Sequence, residues 1–257
     1  MASMSNLGSG PRRSSSVHRA PVEPGAVRNR VLRGLSWRLR ERLADDLHMV
    51  ELARGQAIDR VDEPVKHLHF IEAGFASIVR SMRDGRSVEV GGIGSEGVCG
   101  VNSLLAPNRA VVDTVVQIPV VAHRLDHGLA QRLMAEEPAF RTAISAYARF
   151  AFGQMAQHAA CNRLHSIEQR CCTWLLIAAE SAEHDAFPLT HEALAEMLGG
   201  TRTGVTLTLG ALKTAGLIEQ HPGLLKIIDR PAMQARACEC YAARQDAIRA
   251  LFAPAAF

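Results

Sequence analysis

The stretch that decides the fold is PLTHEALAEMLGGTRTGVTLTLGALKTAGLIEQHPGLLKIIDR, residues 188–230. Thr190 precedes an apolar-periodic run through Leu194, Met197 and Leu198, and a threonine there is a good helix N-cap. The run stops at Gly199-Gly200, where a left-handed C-cap costs little only for glycine. Thr201 can cap a second helix with Val205, Leu209 and Leu212 on one face, stopping at Ala215-Gly216. Leu217 to Glu219, a turn at His221-Pro222-Gly223 and Leu224 to Ile228 then read as a two-stranded wing. A short helix, a glycine turn, a second helix and a hairpin make a winged helix-turn-helix.

In such a unit the second helix enters the major groove by its N-terminal residues. Thr201, Arg202, Thr203 and Thr206 occupy that end here. Arg202 can bond guanine O6 and N7 together, and a threonine can bond phosphate or touch a thymine methyl. Thr190 lies at a helix start, where backbone amides favour a phosphate. Lys213 is a further phosphate candidate. From Leu189 to Arg230 the bases Arg202, Lys213, Lys226 and Arg230 are matched by Glu192, Glu196, Glu219 and Asp229, so the unit is neutral. A nucleic-acid reader usually shows a basic face, so neutrality favours two short helices and a hairpin that only finish a core; the DNA-binding reading requires the acids to lie away from the groove or the Arg-rich tail to help.

Upstream, residues 126–165 are expected to form one long helix. Phe140, Ile144, Tyr147 and Ala151 follow a 4-3-4 spacing, and small apolar residues surround it. A helix apolar on more than one side needs cover on more than one side. The same helix of a second chain would supply it, so this seam is expected to join a homodimer; the alternative is a helix buried within one domain. Residues 166–182 form the next helix, with Ser166 as its cap, and residues 231–257 a helical, Ala-rich tail.

Residues 49–125 change character to short β-branched runs cut by turns, with Asp84-Gly85 as a hairpin signal. They predict an antiparallel, jelly-roll-like β-roll. Residues 31–48 carry Leu35, Leu39, Leu43 and Leu47, one stripe of a helix. Residues 1–30, rich in Gly, Pro, Ser and Arg, are expected to be a disordered basic tail.

Composition sets the limits. The chain has 257 residues, 47% hydrophobic and 21% charged, enough for a packed core. No apolar run reaches the ~18 residues that span a bilayer, and the N-terminus holds no apolar signal core, so a soluble cytoplasmic protein is expected. The net charge of +3 hides an asymmetry: residues 1–42 carry nine arginines and two glutamates, while the remainder is net −4. Six cysteines, Cys99, Cys161, Cys171, Cys172, Cys238 and Cys240, are expected as free thiols in a reducing compartment. Cys171-Cys172 point about 100° apart on a helix, and Cys238-x-Cys240 is poorly spaced for one helix face. No metal ligands, cofactor or catalytic residues are assigned from them.

The order β-roll, long helix, winged helix-turn-helix resembles the Crp/Fnr family of bacterial transcription regulators, from about Leu35 to Arg230. HLHFIEAGFASIV (67–79) is similar to the strand-turn-strand opening of the family's β-roll, and LTHEALAEMLGGTRTGVTLTLGALKTAGLIE (189–219) to its DNA-binding unit. The fold implied is α+β, divided into residues 1–30 (tail), 31–125 (sensor roll), 126–165 (dimerisation helix) and 166–257 (DNA-binding domain with a helical tail). A homodimer on a palindromic operator is implied, with RNA polymerase as a candidate partner and no enzymatic activity.

The departures from the family carry information. Cyclic-nucleotide-binding members have Gly-Glu and later an Arg-Ser/Thr-Ala phosphate cassette. Here Gly94-Ser95-Glu96-Gly97 reverses the order, and Arg109 is followed by Ala110. Glu96, Gly97 and Arg109 are the candidate ligand contacts, and Met155-Ala156 aligns where such members place a Thr-Ser pair. Tight cyclic AMP binding is therefore not expected; a cyclic-nucleotide-responsive regulator is the alternative. An N-terminal iron–sulfur cluster lacks ligands, since no cysteine precedes Cys99. In the recognition helix Thr203 replaces the family's Glu and Leu207 its second Arg, which predicts a different operator. An alternative of another class is a cupin-like metalloenzyme, with His67 and His69 on one strand face beside Glu72.

Overall fold

A computed structural model describes residues 27–105 and 108–251. The expected tail lies outside the described residues up to 26, but its last residues belong to the fold. Asn29 is fully buried. Its Nδ2 donates to the carbonyls of Ile71 and Gly97 at 2.9 and 2.8 Å, and its Oδ1 caps helix α1, Arg30–Gly34, by accepting from Leu32 N–H. One polar side chain thus ties the segment to the roll, which a reading by hydropathy overlooks.

The leucine stripe is also built differently from the expected single helix. Leu35 is extended, and Ser36 starts a second helix, α2, Trp37–Leu43, by accepting from Leu39 N–H. The local cap overrides the continuous stripe. Leu35, Leu39, Leu43 and Leu47 nonetheless all pack into one core, with Leu68, Phe70, Leu125 and Phe140.

The β-roll follows as β1 (His48–Leu52), β2 (Ala57–Asp59), β3 (His67–Ser81), β4 (Ser87–Ile93), β5 (Val98–Cys99), a 3-10 turn (Val101–Leu104) and β6 (Asp113–Asp126). Every pairing is antiparallel: β6 pairs with β1, β2 and β3, and β3 pairs with β4 and β5. The Asp84-Gly85 signal falls in the hairpin between β3 and β4, closed by Met82 N–H donating to Arg86 O at 2.8 Å. Val50, Ile71, Ile78, Ile93, Val116 and Val120 fill the roll.

The expected helix 126–165 is two helices, α3 (His127–Glu136) and α4 (Pro138–Leu164). Glu137 between them is extended, at φ −113° and ψ 98°. The ring of Pro138 disfavours helical geometry in the residue before it, while proline itself suits the first helical position. The predicted seam is also turned inward. Phe140, Ile144 and Tyr147 are buried in the chain's own core beside Leu68 and Phe70. The 4-3-4 spacing marks the apolar face correctly; this chain's own roll covers it.

After α4 come α5 (Ile167–Ala182), β7 (Ala186–Pro188), α6 (His191–Met197), α7 (Arg202–Thr214), β8 (Ile218–His221), β9 (Leu224–Ile227), α8 (Arg230–Arg236) and α9 (Cys240–Leu251). Ser166 and Gln169 form a reciprocal capping box at the start of α5. The third core joins α5 to the helix-turn-helix and reaches the roll through Phe75. Phe75 meets Trp174 edge-on with ring centres 5.9 Å apart, a geometry worth about 0.5–1.5 kcal/mol beyond its buried area.

Candidate nucleic-acid interface

The helix-turn-helix is set by local chemistry. Thr190 is extended, and its Oγ1 accepts from Ala193 N–H at 3.2 Å. α6 buries Leu194, Ala195 and Met197. Gly199 then turns at φ +57°, a region that favours glycine, with Gly200 N–H donating back to Ala195 O at 2.9 Å. Thr201 is extended and accepts from Gly204 N–H at 3.1 Å. α7 buries Val205, Thr208, Leu209 and Leu212. β7, β8 and β9 form the sheet that carries the wing.

The opposite face of α7 is open. Thr201, Arg202, Thr203, Thr206, Leu207, Gly210 and Lys213 are exposed, Leu207 to 70%. The structure therefore brings the residues singled out on α7 to one solvent-facing surface, with Thr190 exposed at the start of α6. Arg202 makes no ion pair among the described residues. Thr190 and Thr201 have each spent an oxygen lone pair on a cap and keep a hydroxyl proton to donate.

Thr206 is more committed than expected. Its hydroxyl donates to Arg202 O at 2.8 Å and lies 2.9 Å from His191 Nδ1. Gln220 Nε2 meets His191 Nε2 at 3.2 Å. The His191 ring thus bridges Thr206 and Gln220 through its two nitrogens. One lone pair of Thr206 remains for a ligand. His191 and Gln220 thus tie α6, α7 and the wing together. Sequence reasoning missed both, because their meeting depends on the wing's fold.

The balancing acids are partly accounted for. Glu196 Oε1 accepts from Ser87 Oγ on the roll. Asp185 holds Arg230 at 2.6 Å. Glu192 and Glu219 are exposed.

The candidate ligand residues of the roll do not converge. Glu96 is buried, accepts from Gly94 N–H at 3.0 Å and pairs with Arg244 of α9 at 2.8 Å. Gly97 packs against Tyr147 so closely that a Cβ would stand 2.4 Å from its hydroxyl. Arg109 is exposed and donates to the carbonyl of Asp62. None of the three lines the roll's cavity of about 330 Å3, which is bounded by residues including Asp59, Ile78, Ile93, Thr114 and Met155. No Arg, Lys or His among the described residues lines it. Burial pushes the Asp59 carboxyl up to about 6, against a lowering hydrogen bond to Thr114.

His67 and His69 face each other edge-on with ring centres 6.2 Å apart. Burial drives His69 down to about 3, so it is neutral near pH 7. Glu72 accepts from the backbone N–H groups of Arg28 and Asn29. The three do not form a group of converging ligand atoms, and the metalloenzyme alternative gains no support.

Comparison with known proteins agrees with this architecture. Residues 49–137 match the model of the cyclic nucleotide-binding domain, and residues 169–236 that of the Crp-like helix-turn-helix domain. The chain is 24% identical over 208 residues to the global nitrogen regulator of Synechococcus elongatus, covering 73% of this chain and 88% of that protein. A transcriptional regulator of the Crp/Fnr family from Eubacterium rectale superposes with a TM-score of 0.63 at 15% identity, covering 80% of this chain and 96% of that one. FixK2 from Bradyrhizobium japonicum superposes at 0.64 and 15% identity, covering 75% and 98%. These structures share the fold.

Proposed function

This chain belongs to the Crp/Fnr family of DNA-binding transcription regulators, and from that premise we propose that it acts as a homodimer on a palindromic operator without requiring cyclic AMP. The observation that carries the reading is the open face of α7, with Arg202 at its first turn and Thr190 and Thr201 at the two helix starts. Arg202 reads a guanine; Thr190, Thr201 and Lys213 hold phosphates; Thr203 and Leu207 meet thymine methyls; Thr206 accepts from a base amino group.

The dimer seam is the exposed face of α4. Phe152 and Leu164 are each 76% exposed, and Gly153, Ala156 and Ala160 are exposed between them. Phe152, Ala156, Ala160 and Leu164 recur every four residues along a 27-residue helix. Small side chains let a second copy of the same helix approach closely. Two-fold symmetry then sets half-sites about 34 Å apart.

Cyclic AMP independence rests on charge. A cyclic phosphodiester needs a cation or convergent donors. The cavity presents a carboxylate instead, Asp59, and Glu96 is already held by Arg244.

No helix among the described residues is long and apolar enough to cross a membrane. A regulator of chromosomal genes works in the cytoplasm, and RNA polymerase is the partner that a promoter-bound dimer meets. Light scattering of the chain on an operator duplex tests the reading. Two chains per duplex, with affinity unchanged by cyclic AMP, are expected. One chain per duplex, or cyclic AMP-dependent binding, overturns it.

A further inference from the structure

Four ligand-type side chains from distant parts of the sequence converge where α4 ends. Cys161 lies in the last turn of α4, His165 is the extended residue that follows that helix, Cys238 lies in the linker after α8, and Cys240 opens α9. Cys238 and Cys240 therefore do not share a helix, and the spacing that argues against them as a pair on one helix face does not apply. The three sulfurs and one imidazole nitrogen all lie within 4.8 Å of one another. We propose that Cys161, His165, Cys238 and Cys240 bind one Zn2+ ion, which staples the joint between the long helix and the DNA-binding unit.

The distances match the chemistry. A tetrahedral zinc with sulfur at about 2.3 Å and nitrogen at about 2.0–2.1 Å has sulfur–sulfur edges of about 3.8 Å and sulfur–nitrogen edges of about 3.5 Å. Cys161 Sγ lies 3.6 Å from Cys238 Sγ, and Cys240 Sγ lies 3.5 Å from His165 Nδ1. Four protein ligands close the coordination sphere, the pattern of a structural site. The sulfurs of a polynuclear iron–sulfur cluster attach to different irons and need a wider ring.

The surroundings fit as well. The three cysteines form a buried cluster of their own, apart from the aliphatic cores, so they are not filling space for a hydrophobic neighbour. Two polar groups contact the sulfurs: Gln157 Nε2 donates to Cys240 at 3.1 Å, and the Thr173 hydroxyl lies 3.0 Å from Cys238 Sγ. The outer nitrogen of His165, Nε2, faces Glu239 Oε1 at 3.9 Å. Soft thiolates select zinc over magnesium, calcium or manganese.

The placement gives the ion a task. His165 is the extended residue between α4 and α5. The metal would bind that joint to the α8–α9 linker, and Thr173 brings in α5 through its bond from Cys238 N–H at 3.2 Å. Metal binding energy then holds the DNA-binding unit against the long helix.

The test is elemental analysis of the full chain purified with a thiol reductant and without chelator, followed by Co2+ titration of the chelator-stripped chain. About one zinc per chain is expected, with the intense visible bands and sulfur-to-cobalt charge transfer of a tetrahedral thiolate site on titration. Cys161→Ser and Cys238→Ser should each lose the metal, while Cys99→Ala, in the roll, keeps it. The thermal midpoint of the stripped chain should rise with added Zn2+. A metal-free chain with no cobalt spectrum, iron in place of zinc, or an intact mass short by two hydrogens from a Cys161–Cys238 disulfide would each overturn the proposal.

Discussion

Arg244 on the C-terminal helix reaches back 148 residues to Glu96 in the β-roll and closes a 2.8 Å ion pair, its side chain 9% exposed and that of Glu96 6%. α9 thus straps the DNA-binding unit to the β-roll. The same bond removes from ligand service the acidic residue that a family alignment offers to a nucleotide.

Breaking a buried pair from one side leaves an uncompensated charge, at a cost of about 3–5 kcal/mol. Arg244→Met should lower unfolding stability by that order in urea melts, because Glu96 stays buried with only the Gly94 N–H as a donor. A loss below about 1 kcal/mol, the range of an exposed pair, would show that the strap is not held by this contact.

Arg202→Ala should weaken operator binding by about 1–3 kcal/mol and relax preference at one base position. Lys213→Ala should weaken binding evenly across sequences and reduce the salt slope by about one. Titrations of both variants against a panel of half-site mutants separate the two roles. An even loss for Arg202→Ala would confine Arg202 to phosphate.

Glu89 is buried beneath Trp174, with Trp174 Nε1 and Ser77 Oγ donating to it. Burial raises its carboxyl from 4.5 to about 7, against those two hydrogen bonds and Arg244. Between these values the folded chain binds more protons than the unfolded one, so this group's contribution to stability falls as pH rises through the window. Glu89→Gln keeps an amide oxygen that can accept from both Trp174 and Ser77. It should stabilise the chain at pH 8 by about 2 kcal/mol more than at pH 5.5. Equal effects at the two pH values would mean that Glu89 is ionised throughout.

Ala156 lies on the exposed face of α4 and outside the cores. Ala156→Glu should leave the fold intact by circular dichroism and shift the sedimentation coefficient from dimer to monomer, because like charges would meet across the two-fold axis. A monomeric parent chain, or an unaffected dimer in the variant, would move the seam elsewhere.

The features legible in the sequence are those set by neighbours along it. Thr190, Gly199 and Thr201 each act within a few residues, so both helices of the reading unit could be placed from their caps. Periodicity was equally sound about which face of α4 is apolar, through Phe140, Ile144 and Tyr147. What covers a face is a tertiary matter, and the roll, not a second chain, covers that one. Ser36 shows the reverse, a single cap interrupting a stripe that stays in register. Glu96 and Arg244, like Cys161 and Cys238, meet only because α9 folds back along α4, and no spacing announces such a meeting. The local signals of the quartet are Cys161-x3-His165 and Cys238-x-Cys240.

Selection of bound fragments from random DNA by the purified chain, with no small molecule added, tests the central claim most directly. The account predicts enrichment of a palindrome whose half-sites lie about one helical turn apart, with preference lost at one base position of each half-site in Arg202→Ala. No enrichment, or enrichment only when cyclic AMP is supplied, would contradict it.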